Sequence, residues 1–308
     1  MNRAPKLTRR TALSAVAAAP LAAAALRPAL AAGHGAQPNA NKHTFTLGEL
    51  EVSTLLVGSR TVGDVQTIFG MNVSPEEFAS VSQENFLPAD QAQFFFTPTV
   101  VRAGEEVVLF DTGLSAQGTL PALEAAGVAA DEVTIVVITH MHGDHIGGLS
   151  GDDGVPTYPN ARYVTGQVEY DAWAAQSNDG FEAKVRPLAE QMTFIGDGES
   201  IAPGITSMAA FGHTPGHMTY MLDSGGKQVL LIADMANHYV WSLAYPDWEV
   251  RFDMDKEAAA STRRRVLGMV AADRIPIIGY HMPFPALGYV DTREDGFRYV
   301  PVSYLLML

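Results

Sequence analysis

Nine histidines are spread over 308 residues, yet His140, His142 and His145 fall within six positions, with Asp144 among them. Imidazole and carboxylate hold divalent cations without thiolate, and this chain contains no cysteine. In extended backbone, residues two apart share a face, so His140 and His142 can point the same way. Asp144 and His145 fall where "GDHIGG" turns toward a helix, and can address a second point nearby. Four such donors exceed what one open cation site needs. They suit two adjacent ions, each served by part of the motif.

The motif needs rigid elements behind it, and the flanking sequence supplies them. "VTIVVI" (133–138) is a short continuous apolar run, as expected of a strand buried on both faces, and the histidines begin at its end. Three further donors stand in equivalent contexts: His213 beyond "GITSMAAF", Asp234 closing "VLLIAD", and His281 after "IPIIGY". Upstream, "HTFTLGELEVSTLLV" (43–57) alternates around Gly48 like a hairpin. "QFFFTPTVVRAGEEVVLFDTG" (93–113) reads as two strands around a turn at Ala103-Gly104, and "LPALEAAG" (120–127) as a helix with a glycine stop. "GQVEYDAWAAQ" and "FEAKVRPLAEQM" have helical spacing, "GITSMAAFG", "MTYMLDS" and "QVLLIAD" read as strands, and "DKEAAASTRRRVLGMVAAD" (255–273) is the clearest helix. Strands and helices mix in both halves, an α/β pattern with its polar donors just past strand ends.

Composition sets bounds. Residues 1–31 hold five basic and no acidic residues, with Arg9-Arg10 ahead of an alanine-rich run and Ala29-Leu30-Ala31 as a small-residue cleavage site. This reads as a secretory signal similar to the bacterial twin-arginine type, which implies export of the folded protein to the periplasm or beyond. Pro20 and Arg27 interrupt the run, so no stable membrane insertion is expected after its removal. Residues 32–308 then form a single domain, with 15 of the 20 basic residues against all 34 acidic ones. Such a surface disfavours nucleic acid and anionic membranes. Apolar loops in the 65–100 region offer a surface for a homodimer contact.

"THMHGDH", "GHTPGH", "IAD" and "GYHMPFP", with "FDTG" (110–113) before them, resemble the metal-binding motifs of the metallo-β-lactamase superfamily from about His43 onward. The resemblance implies an αβ/βα four-layer sandwich of two mixed sheets flanked by helices. It implies two divalent ions, zinc by default: His140, His142 and His213 would hold one, Asp144, His145 and His281 the second, and Asp234 would bridge them. Asp111 would orient a ligand by hydrogen bonding. The ending "HMPFPALGYV" and "DAWAAQSND" resemble the methyl parathion hydrolase and lactonase branch. That branch implies attack by a metal-bridging hydroxide whose pKa is lowered to about 7, with Asp144 and Asp234 in catalytic roles. The implied substrate is a small, neutral, partly apolar ester or lactone, of the acyl-homoserine lactone type used in quorum sensing. Aryl esters or phosphotriesters are the alternative, and a non-catalytic metal-binding or sensing protein is the alternative of another class. Trp173, Phe181, Phe95 and Asn237 are the expected pocket residues.

Overall fold

In the computed structural model, which describes residues 41–151 and 153–302, the chain opens with an antiparallel hairpin of β1 (Lys42–Leu47) and β2 (Leu50–Leu55). Gly48 closes its turn at φ 58°, and a Cβ there would lie 2.5 Å from the Ser224 backbone, so no other residue fits. β3 (Gly58–Gly63) leads to α1 (Pro75–Glu84), which has proline in its first turn and Ser74 accepting from the Glu77 amide at 3.1 Å. β4 (Gln91–Phe96) returns to pair with β3 as a separate two-stranded ribbon. β5 (Thr99–Ala103) and β6 (Glu106–Phe110) follow. The apolar run from Gln93 was expected to be one strand. It is divided because Pro98 has no amide proton for a ladder, which separates the ribbon from the main sheet.

Next come α2 (Ala116–Ala125), β7 (Ile135–Ile138), α3 (Gly143–Ile146), β8 (Arg162–Gly166), α4 (Gln167–Ala174), α5 (Asp179–Lys184) and β9 (Met192–Ile195). The helix expected through "FEAKVRPLAEQM" stops at Lys184. Pro187 cannot continue an α-helix beyond its first turn, and Arg186–Gln191 form a 3₁₀ segment instead. The first sheet has the order β1-β2-β5-β6-β7-β8-β9, and β6 to β9 run parallel. The second sheet takes β10 (Ser200–Ala202), β11 (Ile205–Ala209), β12 (Met218–Ser224) and β13 (Lys227–Ala233) in sequence. After α6 (Lys256–Asp273), it adds β14 (Ile277–Gly279), β15 (Leu287–Arg293) and β16 (Gly296–Pro301); only β13 and β14 pair parallel.

The central core joins Val52, Val101, Val137 and Val164 of the first sheet to Tyr220, Leu222, Leu231 and Ile278 of the second. On the outer face of the first sheet, Leu123, Trp173 and Phe181 from three helices cover Leu109, Val136 and Ile138. Val266, Leu267 and Val270 bring α6 onto the second sheet, which completes the αβ/βα sandwich. Each of these large side chains contributes about 1.5–3 kcal/mol by leaving water. A third cluster, with Phe69, Phe78, Trp241 and Trp248, fastens α1 and the ribbon over one edge of the sandwich. The described residues lie within one compact unit, and none of their helices is long and apolar enough to cross a membrane. The expected signal segment, 1–31, lies outside the described residues.

Candidate metal centre

The parallel strands of both sheets end at the same place. β7, buried at all four positions, delivers Thr139 and His140; β13 delivers Asp234; β14 leads within two residues to His281. His213 arrives on the loop after β11. That loop is shaped by Gly212, whose φ is 126° and whose Cβ, if present, would sit 2.2 Å from the Ala259 amide nitrogen at the start of α6.

His140, His142 and His213 converge. His140 Nε2 lies 3.1 Å from His142 Nδ1, which lies 3.0 Å from His213 Nε2. The neighbours fix which nitrogens carry protons. Thr139 Oγ1 donates to Asp111 at 2.9 Å, so it accepts from His140 Nδ1–H at 3.1 Å and leaves Nε2 a bare lone pair. His213 Nδ1–H donates to Asp253 at 2.9 Å, with the same consequence for its Nε2. Burial holds His140 well below the usual imidazole range and takes His142 down to about 3, with the neighbouring histidines adding to the effect.

The second group has more carboxylate. His145 Nδ1–H donates to Asp111 at 2.8 Å and His281 Nδ1–H to the Phe95 carbonyl at 2.7 Å, so both present Nε2 inward. His145 Nε2 is 3.2 Å from Asp234 Oδ1 and 3.6 Å from Asp144 Oδ2; His281 Nε2 is 3.1 Å from Asp234 Oδ2 and 3.3 Å from Asp144 Oδ2. Asp234 Oδ2 also lies 3.5 Å from His213 Nε2, so this one carboxylate touches both groups. Burial works against charge on His281, but Asp234 and Asp144 overcome it and push the ring up to about 10. His145 is likewise raised against burial, by Asp234, Asp111 and Asp144. Burial disfavours charge on Asp144 as well, yet His145 and His281 bring it down to about 2.

These residues fit divalent cations. A cation would displace the second proton of His145 and His281, so that Nε2 lone pairs of four backed imidazoles and the oxygens of Asp144 and Asp234 would face a common positive charge. Buried His145 Nε2 and Asp234 Oδ1 make no hydrogen bond. Three sets could each hold an ion, with ligand atoms within 4.8 Å of one another: His140–His142–His213, His140–His145–Asp234 and Asp144–His145–His281.

Several supports were not expected from sequence. Asp253 holds His213 with one oxygen and the buried Arg263 with the other, at 2.7 Å. Glu169 on α4 is fully buried and accepts from the Met141 amide, Trp173 Nε1, Thr214 Oγ1 and the Gly216 amide at 2.7–3.0 Å. It thereby ties the loop of His140 and His142 to the loop of His213. The Tyr280 ring lies 4.0 Å from that of His145, and its hydroxyl donates to the Asp144 carbonyl at 2.5 Å. His217 accepts from the Asp234 amide at 3.2 Å, consistent with a loop-supporting role.

The centre opens on a pocket of about 460 Å³ walled by Phe94, Phe96, Ile68 and Phe252, with His142, Asp144, Asp234 and His281 at its floor. None of the four pocket residues expected from sequence lines it. Alternation along β4 turns Phe94 and Phe96 inward and Phe95 to a different cavity behind the ribbon; only the Phe95 carbonyl serves the centre. Phe181 is fully buried in the core, under Tyr170. Trp173 is buried behind the centre, 5.8 Å from the His142 ring and tied to Glu169. Asn237 is buried in the turn capped by Ser242.

Comparison with known proteins agrees with this architecture. An N-acyl homoserine lactonase from a Bacillus species is 25% identical over 180 residues, covering 58% of this chain and 64% of that protein. The chain therefore aligns with less than two thirds of that relative's length. The probable metallo-hydrolase YflN of Bacillus subtilis strain 168 is 30% identical over 195 residues, covering 53% of this chain and 71% of that protein. AidC, a dizinc quorum-quenching lactonase solved with the product N-hexanoyl-L-homoserine, superimposes with a TM-score of 0.80 at 23% identity, over 86% of this chain and 98% of its own. A sequence profile of the metallo-beta-lactamase superfamily matches residues 97–276, more than half of the chain and six of the seven converging residues. That match takes in the turn after β7 and the ends of β11 and β13, and the chain belongs to the metallo-beta-lactamase superfamily.

Proposed function

We propose that this protein is a dinuclear metal-dependent hydrolase that opens lactones, with acyl-homoserine lactones the first substrates to test. The observation that carries the reading is one buried carboxylate, Asp234, whose oxygens lie between the His213 side of the centre and the His145–His281 side. His140, His142 and His213 would hold one cation, and Asp144, His145 and His281 the other, with Asp234 between them. Two divalent cations supply Lewis acidity and a nucleophile from water at neutral pH. The chain's own residues do the rest. Asp144, partly open to the pocket, can take up and return a proton at its carboxylate. Phe94, Phe96 and Phe252 seat an apolar acyl or aryl portion and exclude water from it. The same aromatic wall favours aryl esters as a second substrate group. The twin-arginine-like signal supports export of the folded protein, and the intact mass of the exported form tests it.

Proton release at constant pH from an acyl-homoserine lactone, with zinc-loaded protein, tests the activity. Asp234→Ala should retain the fold by circular dichroism and lose more than the ~10–100-fold typical of residues that only support a ligand. Undiminished turnover in that variant would overturn the dinuclear reading.

A further inference from the structure

The chain is strongly acidic, with a formal charge of −14, yet the pocket over the metal centre carries two arginines, Arg60 on β3 and Arg251 after the Trp248 loop. Nearly every other arginine among the described residues is engaged: Arg102, Arg162, Arg186, Arg263, Arg264, Arg265, Arg293 and Arg298 all hydrogen-bond a carboxylate, carbonyl or hydroxyl. Arg60, Arg251 and Arg274 have no such partner among the described residues. Two of these three therefore line one pocket, and both are exposed. The Arg251 guanidinium lies 5.0 Å from the centroid of the Phe252 ring, itself part of the pocket wall, which orders the cation at that wall and leaves its N–H groups unspent. Beside them the wall is apolar: Arg60 faces Phe94 across the ribbon and Arg251 precedes Phe252, while Asp144 and Asp234, at the floor, are engaged by His281. A guanidinium with free N–H groups pairs bidentately with carboxylate or phosphate.

We infer that Arg60 and Arg251 form an anion-recognising rim, so that the preferred substrates are esters or lactones whose end remote from the scissile bond carries a carboxylate. This rests on the hydrolase reading for the word substrate, and it adds to the small esters and lactones proposed above a preference for members with an anionic far end. The apolar wall takes the chain of the substrate; the rim takes its charged end.

Binding tests the rim without turnover. Adipate and hexanoate both offer one carboxylate to the centre, and only adipate offers a second at the far end. Calorimetry on the zinc-loaded protein should show adipate bound about tenfold more tightly, as one added charge-assisted contact predicts. The preference should shrink at high salt. The double variant Arg60→Gln/Arg251→Gln should abolish it, and Arg274→Gln, an exposed unpaired arginine elsewhere, should not. Equal affinities in the native protein, or a preference that survives the double variant, would overturn the proposal. The mono-4-nitrophenyl ester of adipic acid against 4-nitrophenyl hexanoate then reads the same preference in kcat/KM. If both esters and the acyl-homoserine lactone are inert while the binding preference stands, the hydrolase reading fails and the anion rim survives.

Discussion

The two sheets contribute to the centre in different ways. The first sheet gives His140, His142, Asp144 and His145 from one turn after β7, and one carboxylate, Asp111, backs both His140, through Thr139, and His145. The second sheet gives His213, Asp234 and His281 one at a time, from three separate strand ends. Each of those has its own support: Asp253 with Arg263, His217, and the Phe95 carbonyl. One half is preorganised by local sequence, the other by tertiary packing. Failure of a support should therefore spread widely in the first half and stay local in the second.

Asp253→Asn and Asp111→Asn put that contrast to work. Each should weaken metal affinity by ~10–100-fold, the range for residues that orient a ligand. Asp253→Asn should also lower stability by about 3–5 kcal/mol, because it strands the buried Arg263 charge. On the proposed two-ion reading its metal defect should be confined to one ion, since only His213 is released. Asp111→Asn turns an acceptor into a donor facing Thr139 or His145, and should disturb both ions. Metal titrations that show the reverse pattern would break the comparison.

Glu169 joins the two halves, and its effect should be smaller. Four donors converge on its two oxygens, so the NH2 of Glu169→Gln must face either the Gly216 amide or both the Met141 amide and Trp173 Nε1–H, none of which can accept from it. A loss of about 1–3 kcal/mol follows, with ligand loops that exchange amide hydrogens faster at Met141 and Gly216 than in the native protein. Unchanged exchange at both sites would deny it the joining role.

His238 lies outside both halves and provides the baseline. Its Nδ1 accepts from the Val240 and Trp241 amides at 3.1 Å, and burial pushes the ring down to about 3. The unfolded chain takes up this proton near pH 6.5 and the folded one does not. The contribution to stability is thus complete above about 6.5 and is lost as pH falls from there toward 3, by about 1.4 kcal/mol per unit. His238→Asn, which keeps an acceptor in place, should flatten the melting temperature between pH 6.5 and 5 relative to the native protein, with metal content unchanged.

This contrast also explains what the sequence disclosed. The cluster after β7 is legible because four donors within six residues have no other evident use. Asp234, His213 and His281 are legible because each ends an apolar run. Asp253 and Glu169 are not: an aspartate in "RFDMD" and a glutamate within a helical "GQVEYD" look like solvated surface, and only the packing of α4 and α6 turns them inward. The pocket was misread for a related reason. Three consecutive phenylalanines, 94–96, carry no mark of which face is inside, whereas the register of β4 against β3 decides it. Pro98 and Pro187, which divided the strand and the helix, were readable signals that the apolar pattern overrode.

Counting metal against activity is the most direct test of a centre built by two half-sites. Metal-free protein would be titrated with zinc while bound metal and lactone opening are measured on the same samples. Two ions per chain are expected, with turnover appearing as the second is filled. Full turnover at one ion per chain, or none at two, would contradict it.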